Sequence, residues 1–230
     1  MDGVLIDSTP TQARAFQLLF RDLGLSTNAR KLLARLNGMP ATTILQTVFK
    51  SPVPKKQFQT YADQREFLYR TLYWHKRQPL PGLRQFLAAA KEAGILIGLG
   101  TGSAAESIGY IIDHLDLRHY FDVVVGSEDV EKGKPHADTY SVTARKLGVA
   151  PQDCVVFEDA VLGEQAAYRA GMRCVALTTT LPARAFQAPL AVIKDFTETT
   201  PAKLLALLAN NPPHPKPDKA RAQRKYMHLE

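Results

Sequence analysis

The chain reads as an α/β protein, with a Rossmann-like parallel sheet interrupted early by an inserted helical segment. Three observations predict this. From Pro79 onward, short apolar runs alternate with helical stretches, the pattern of a parallel sheet covered by helices on both faces. Across residues 9–78, apolar residues recur near the 3.6-residue period and no strand-like run appears. The stretches that carry reactive side chains stand at the ends of apolar runs, where open parallel sheets place their sites.

Taken in order, the first helical segment shows Ala15, Leu18, Leu19 and Leu23 on one face, then Phe58, Ala62, Phe67, Leu68 and Leu72. Gly24, Gly38-Met39-Pro40 and Ser51-Pro52-Val53-Pro54 divide it into short helices. After Pro79-Leu80-Pro81-Gly82 a helix is predicted near 83–93, ending at Gly94. Ile95 to Gly100 reads as a strand, and Ser103-Ala104-Ala105-Glu106 as a capping box that opens a helix reaching about Leu115. Phe121 to Val125 is the next strand, followed by a helix near 137–147 that ends at Gly148. Cys154 to Phe157 and Arg173 to Leu177 are strands flanking a helix near 163–170, and a last helix covers about 202–209. The domain reading is therefore 1–8 with 79–209 as the α/β core, 9–78 as a helical cap and 210–230 as a flexible tail. That tail has four prolines and little that packs.

A length of 230 residues allows one large domain or two modest ones with a buried core. No apolar run approaches the roughly 20 residues that span a bilayer, and the start shows no signal-peptide pattern, so no membrane association is expected. The only cysteines, Cys154 and Cys174, lie in apolar runs and read as reduced core thiols of a cytoplasmic protein. The net charge of +7 is uneven. Residues 9–78 hold 12 Lys/Arg against 3 Asp/Glu, whereas residues 79–212 hold 12 against 15. A basic lobe facing a site concentrates anionic substrates such as phosphate esters. A merely solvated basic face explains the same bias, and no recognised nucleic-acid motif accompanies it.

Four short stretches at strand ends carry the chemistry: Asp2-Gly3, Thr101 after Gly100, Lys134 in Gly133-Lys134-Pro135, and Glu158-Asp159 after Phe157. A hydroxyl, an ammonium and a carboxylate pair gathered in one crevice suit a phosphoryl group with a divalent cation. Taken singly, Thr101 reads as a helix-proximal cap and Lys134 as a solvated loop charge. Asp7-Ser8 reads as a turn or cap. Adjacent carboxylates at Glu158-Asp159 are harder to place without a cation, because they repel.

In order and wording these stretches resemble the haloacid dehalogenase superfamily, in the phosphatase and β-phosphoglucomutase-like subfamily with a helical cap after the first loop. Asp2-Gly3-Val4 is similar to the end of its first motif and Leu99-Gly100-Thr101-Gly102-Ser103 to its second. Gly133-Lys134-Pro135-His136-Ala137-Asp138 is similar to the third and Val156-Phe157-Glu158-Asp159 to the fourth. The resemblance covers roughly residues 1–208. It implies an Mg²⁺-dependent phosphohydrolase acting on a small phosphorylated metabolite. Asp2 would be the general acid and then base, with its backbone carbonyl on Mg²⁺. Thr101 and Lys134, with the backbone of Gly3 and Gly102, would bind the phosphoryl group. Asp159, with Glu158 directly or through water, would complete the metal site. The same resemblance places the nucleophilic Asp just before Met1, and a central strand before that. The 230-residue chain is accordingly expected to be a poor catalyst and of low stability.

The β-phosphoglucomutase-like alternative is weakened because Gln12 and Ala41 occupy places where its cap supplies a His and an Arg. Other cap basics, such as Arg35 or Lys76, could compensate for them. A catalytically dead phospho-ligand-binding protein is a further alternative. Gly100-Thr101-Gly102-Ser103-Ala104-Ala105 also fits a dinucleotide fingerprint, with Asp122 as its acidic residue, though Asp122 falls at the start of a strand instead of its end.

Overall fold

A computed structural model describes residues 1–36, 39, 41–49 and 53–211. Four helices come first: α1 (Thr9–Asp22), α2 (Ala29–Leu36), α3 (Ala41–Gln46) and α4 (Lys55–Tyr73). Then strands and helices alternate: α5 (Leu83–Glu92), β1 (Gly98–Gly100), α6 (Ala105–Ile112), β2 (Val123–Val125), α7 (Asp138–Leu147), β3 (Val155–Glu158), α8 (Val161–Arg169), β4 (Arg173–Leu177), β5 (Ala191–Ile193) and α9 (Pro201–Asn210). The α/β class with parallel pairing is as the sequence implies.

The strands form two ladders. β1 pairs with β2 in parallel, Leu99 opposite Val124. β3, β4 and β5 form a second parallel sheet in that order, with Phe157 opposite Val175 and Ala176 opposite Val192. Among the described residues no strand bridges β1 to β3. Residues 1–8 make only isolated bridges, Asp2 to Ile6 and Ile6 to Pro79. Both ladders nevertheless bury side chains in one apolar cluster: Leu99, Val175, Leu177 and Ile193 meet Ile108, Ile111 and Ile112 of α6 and Val4, Leu5 and Ile6 of the first loop. The aliphatic first loop thus stands against both sheets, and its burial fixes where Asp2 lies.

The helical segment has a cluster of its own, built from Phe16, Leu19 and Phe20 of α1, Leu33 of α2, Ile44 and Leu45 of α3, and Phe58 and Ala62 of α4. Many contacts to the α/β part come from α4 and the turn that follows it. Ser107 Oγ donates to Glu66 Oε1 at 2.7 Å, Arg70 Nη1 to Glu106 Oε1 at 2.6 Å, and Tyr110 Oη to the Arg70 carbonyl at 2.8 Å. The Arg77 guanidinium stands 4.3 Å from the Trp74 ring centroid and 4.2 Å from that of Tyr110, within cation–π range.

Several local expectations are corrected. The strand expected from Ile95 begins only at Gly98, because the Ile97 amide donates to the Asp122 side chain. The expected capping box does not form: Ala104 is the N-cap of α6 and makes no side-chain cap bond. Glu106 turns to Arg70 of α4, and the exposed Ala105 amide donates to Glu128 from a neighbouring loop at 3.2 Å. β5 was not expected from sequence, since three residues give too little periodicity. α9 includes Asn210, which had been assigned to the tail; residues 212–230 of that tail lie outside the described residues. So do Gly38, Pro40, Ser51 and Pro52, which were expected to break the helices. Cys154 and Cys174 are free thiols.

The buried Glu164 of α8 holds the loop before β5, accepting from the Gln187 amide at 3.0 Å and the Ala188 amide at 2.8 Å. Glu164→Ala strands both amides, and the expected loss is about 1–3 kcal/mol in urea unfolding. An unchanged midpoint contradicts this.

Candidate active site

One cavity of about 270 Å³ lies between the helical segment and the carboxyl ends of β1 and β3, and Asp2, Thr101, Gly102, Lys134, Glu158 and Asp159 all line it. Gly3 does not line it but sits directly behind Asp159. The sequence-expected residues are therefore gathered at one place, from loops separated by more than a hundred positions.

Asp2 is held by three donors. The hydroxyl of Ser8 donates to Oδ1, Gln12 Nε2 donates to the same oxygen at 3.2 Å, and Ser103 Oγ donates to Oδ2 at 3.3 Å. Gln12 is itself gripped by Arg65 of α4 through Nη1 to Oε1 at 2.5 Å. A polar chain thus runs from the helical segment to the Asp2 carboxylate. Ser8 is fully buried and stands at the N-cap position of α1, as expected of a cap, but its side chain makes no cap bond and turns to Asp2 instead.

Thr101 follows β1, and its amide continues the ladder by donating to the Val125 carbonyl at 3.0 Å. Its hydroxyl accepts from the Ser103 amide at 3.2 Å. Lys134, Glu158 and Asp159 are 6%, 4% and 3% exposed, so these charges are removed from bulk water. Buried ions need partners. Glu158 Oε1 receives both Lys134 Nζ and the Tyr140 hydroxyl, while Oε2 accepts from the Asp159 amide at 3.2 Å. Burial opposes ionisation of Glu158, but the Lys134 charge and the hydrogen bonds from Lys134 and Tyr140 outweigh it and lower its pKa. Burial first, and then the Glu158 charge, keep the Tyr140 phenol protonated far above its ordinary range.

Asp159 experiences the opposite balance. Burial and the adjacent Glu158 push its pKa up to about 7, against a hydrogen bond from Thr180. Thr180 also pairs with Thr9 at 2.9 Å, and Thr179 donates to the Gly3 carbonyl at 2.6 Å, so the turn after β4 fastens the first loop to Asp159. The amino group of Met1 is buried beside the cavity, its pKa lowered by burial and then by Lys134. Two glycines make the packing possible. A Cβ on Gly3, which has φ of +70°, would stand 2.0 Å from Asp159 Oδ2, and one on Gly163 would stand 2.0 Å from Glu158 Cδ.

No group of three or more His, Cys, Asp or Glu side chains with metal-holding geometry occurs among the described residues. The donor set is nevertheless the hard-oxygen kind that suits Mg²⁺, which keeps several waters and needs only one or two carboxylates. A buried Asp159 carboxyl, disfavoured as an anion beside Glu158, fits a site completed by a cation. Glu158 Oε1, by contrast, is already occupied by two donors.

The chain matches the family model described as haloacid dehalogenase-like hydrolase over residues 1–177. It belongs to this family. The fructose-1-phosphate phosphatase YqaB of Escherichia coli K12 is 34% identical over 175 residues, covering 76% of this chain and 92% of that protein. Hexitol phosphatase B of the same organism is 32% identical over 176 residues, covering 76% and 79%. Among solved structures, a family IA haloacid dehalogenase hydrolase of Entamoeba histolytica superposes with a TM-score of 0.80 at 26% identity, covering 91% of this chain and 97% of that one. A β-phosphoglucomutase from Clostridium difficile shares the fold with a TM-score of 0.82 at 22% identity, covering 91% and 94%. The sequence similarity to phosphatases supports assigning this haloacid dehalogenase-like chain as a hydrolase.

The dinucleotide alternative finds no support in the geometry. Asp122, its expected ribose ligand, is bound to Lys91 at 2.6 Å and to the Ile97 amide at 2.8 Å, at the opposite end of β2 from the cavity. Ser8, Gln12, Tyr140 and Thr180 were not identified from sequence as site residues. Only Gln12 carried a signal, by its place after the first loop.

Asp159 holds its proton more tightly in the folded protein than in the unfolded chain. From about pH 4 to pH 7 the native state thus carries the extra proton, and raising pH across this window destabilises the metal-free protein. The melting temperature is expected to fall between pH 5 and pH 8, less steeply in Asp159→Asn, and Mg²⁺ is expected to restore it at the upper end. An identical slope in wild type and Asp159→Asn contradicts this. Gly3→Ala is expected to lose the Mg²⁺-dependent stabilisation, since the methyl group overlaps Asp159.

Proposed function

We propose that this protein is an Mg²⁺-dependent phosphohydrolase acting on a small phosphate monoester of a sugar or polyol. The observation that carries the reading is the single cavity shared by Asp2, Thr101, Lys134 and Asp159. In this reading residues 9–78 are the cap over an α/β core, and the protein works in the cytoplasm with both cysteines reduced.

Lys134 and the Thr101 hydroxyl, assisted by the loop amide at Gly102, neutralise and orient the phosphoryl oxygens as charge develops on them. The expected part of Gly3 is corrected, because its amide donates to the Ile6 carbonyl at 2.8 Å and Gly3 does not line the cavity. Asp2 protonates the leaving oxygen and then takes a proton from the attacking water. Ser8, Gln12 and Ser103 aim its carboxylate. The Asp2 carbonyl and the Asp159 carboxylate would hold the cation; Glu158, whose Oε1 already receives Lys134 and Tyr140, would support it only through water. Bound Mg²⁺ contributes charge neutralisation of the phosphoryl group. The family resemblance also implies a covalent aspartyl-phosphate intermediate.

The substrate class rests on the cap wall and on the relatives. Gln12, Gln59, Asp63, Arg65 and Glu66 offer mixed donors and acceptors to the cavity, which suits neutral hydroxyls. The relatives named above are phosphatases of fructose-1-phosphate and of hexitol phosphates. Against a mutase, the two arginines that line the cavity from the helical segment are already paired with Glu66, Arg65 at 3.2 Å and Arg70 at 3.0 Å, leaving no free cationic cradle for a second phosphate among the described residues. Arg35 and Lys76 are exposed and do not line the cavity, so they do not replace the cap Arg of mutases.

The test incubates the full-length protein with a panel of sugar and polyol phosphates, following phosphate release and isomer formation separately. Phosphate release dependent on Mg²⁺ is expected, with Asp2→Asn lowering kcat by about 10²–10⁴. Isomer formation without release establishes the mutase reading. Phosphate binding with no turnover establishes a phospho-ligand-binding protein.

A further inference from the structure

We infer that Tyr140 is a positioning residue for the phosphate-binding ammonium of Lys134, acting through Glu158. The inference rests on the reading of Lys134 given above. Tyr140 stands in the first turn of α7, six residues after Lys134. Its ring packs against Val156, Ala166, Ala167, Met172 and Cys174, so the element has an evident core role. The hydroxyl does something more specific. It donates to Glu158 Oε1, the same oxygen that receives Lys134 Nζ. The ammonium also stands 4.9 Å from the Tyr140 ring centroid. One side chain therefore touches both members of the buried ion pair.

The consequence follows from competition for one oxygen. A buried carboxylate with a lysine as its sole partner at that oxygen would hold the ammonium tightly and screen its charge from an incoming phosphate. A second donor at the same oxygen withdraws part of that charge, loosening the grip on Lys134 without removing the anchor. Glu158 cannot respond by swinging away, because Gly163 and the Asp159 amide close on its carboxylate from the other sides. The Lys134 ammonium is thus directed from a fixed point on the cavity wall.

Tyr140→Phe isolates this role, since the ring, its packing and the ring–ammonium contact all remain. Inorganic phosphate is titrated calorimetrically, at constant Mg²⁺, onto the 230-residue chain and its variants, with melting temperatures measured in parallel. Lys134→Ala is expected to abolish binding. Tyr140→Phe is expected to weaken it about tenfold, as for loss of one hydrogen bond to a charged group. In a Glu158→Gln background the same substitution should have no further effect. Unchanged phosphate affinity in Tyr140→Phe, with binding lost in Lys134→Ala, overturns the inference while leaving the functional reading intact. A melting temperature lowered as far as in Tyr140→Ala also overturns it, by assigning the hydroxyl to folding. Phosphate binding that survives Lys134→Ala overturns the functional reading instead.

Discussion

The structure turns on two consecutive buried carboxylates, Glu158 and Asp159, at the carboxyl end of β3. Placing like charges side by side away from water is costly, and the surrounding fold answers the cost differently for each. Glu158 is matched by an ammonium and a phenol, and stays ionised. Asp159 accepts from the Thr180 hydroxyl, but burial and the neighbouring Glu158 drive it toward its neutral form. That asymmetry separates a group that anchors a lysine from one whose anion a cation would stabilise. The glycines at positions 3 and 163, the threonine turn after β4 and the first turn of α7 all make sense as the packing around this pair.

The second organising feature is the polar chain from Arg65 through Gln12 to Asp2. It joins a helix of the inserted segment to the carboxylate proposed to handle protons. The contacts of Glu66 with Ser107 and of Arg70 with Glu106 hold the same helix against α6. In the proposed reading, the cavity wall and the placement of Asp2 are linked mechanically, because α4 supplies both the wall and the grip on Gln12.

The sequence disclosed the fold class and the residues of the cavity unevenly, for physical reasons. Thr101 and Glu158-Asp159 were legible because each follows an apolar run, and parallel sheets bring such ends together, while Asp2 and Lys134 were legible through the order of the four motifs. Longer helices such as α5 and α7 were legible from their period and their terminal glycines. Contacts between distant segments were not. Ser103 and Glu106 have the spacing of a capping box, yet Asp2 and Arg70 compete for them through tertiary contacts that no local pattern records. Ser8 looked like a cap for the same reason. Tyr140 and Thr180 have no local signature at all, since one reads as a core aromatic and the other as a loop hydroxyl. The separation into two ladders is likewise a property of which edges meet in space.

The claim that most depends on this account is that Asp2, Thr101, Lys134 and Asp159 together hold a divalent cation and a phosphoryl group. It is tested most directly by growing crystals of the protein with Mn²⁺, as an anomalous scatterer in place of Mg²⁺, together with phosphate. The account predicts an anomalous peak against the Asp159 carboxylate and the Asp2 carbonyl, with phosphate density against Lys134 and Thr101. A fully occupied Mn²⁺ elsewhere, or phosphate bound outside the cavity with the cavity holding water alone, would contradict it.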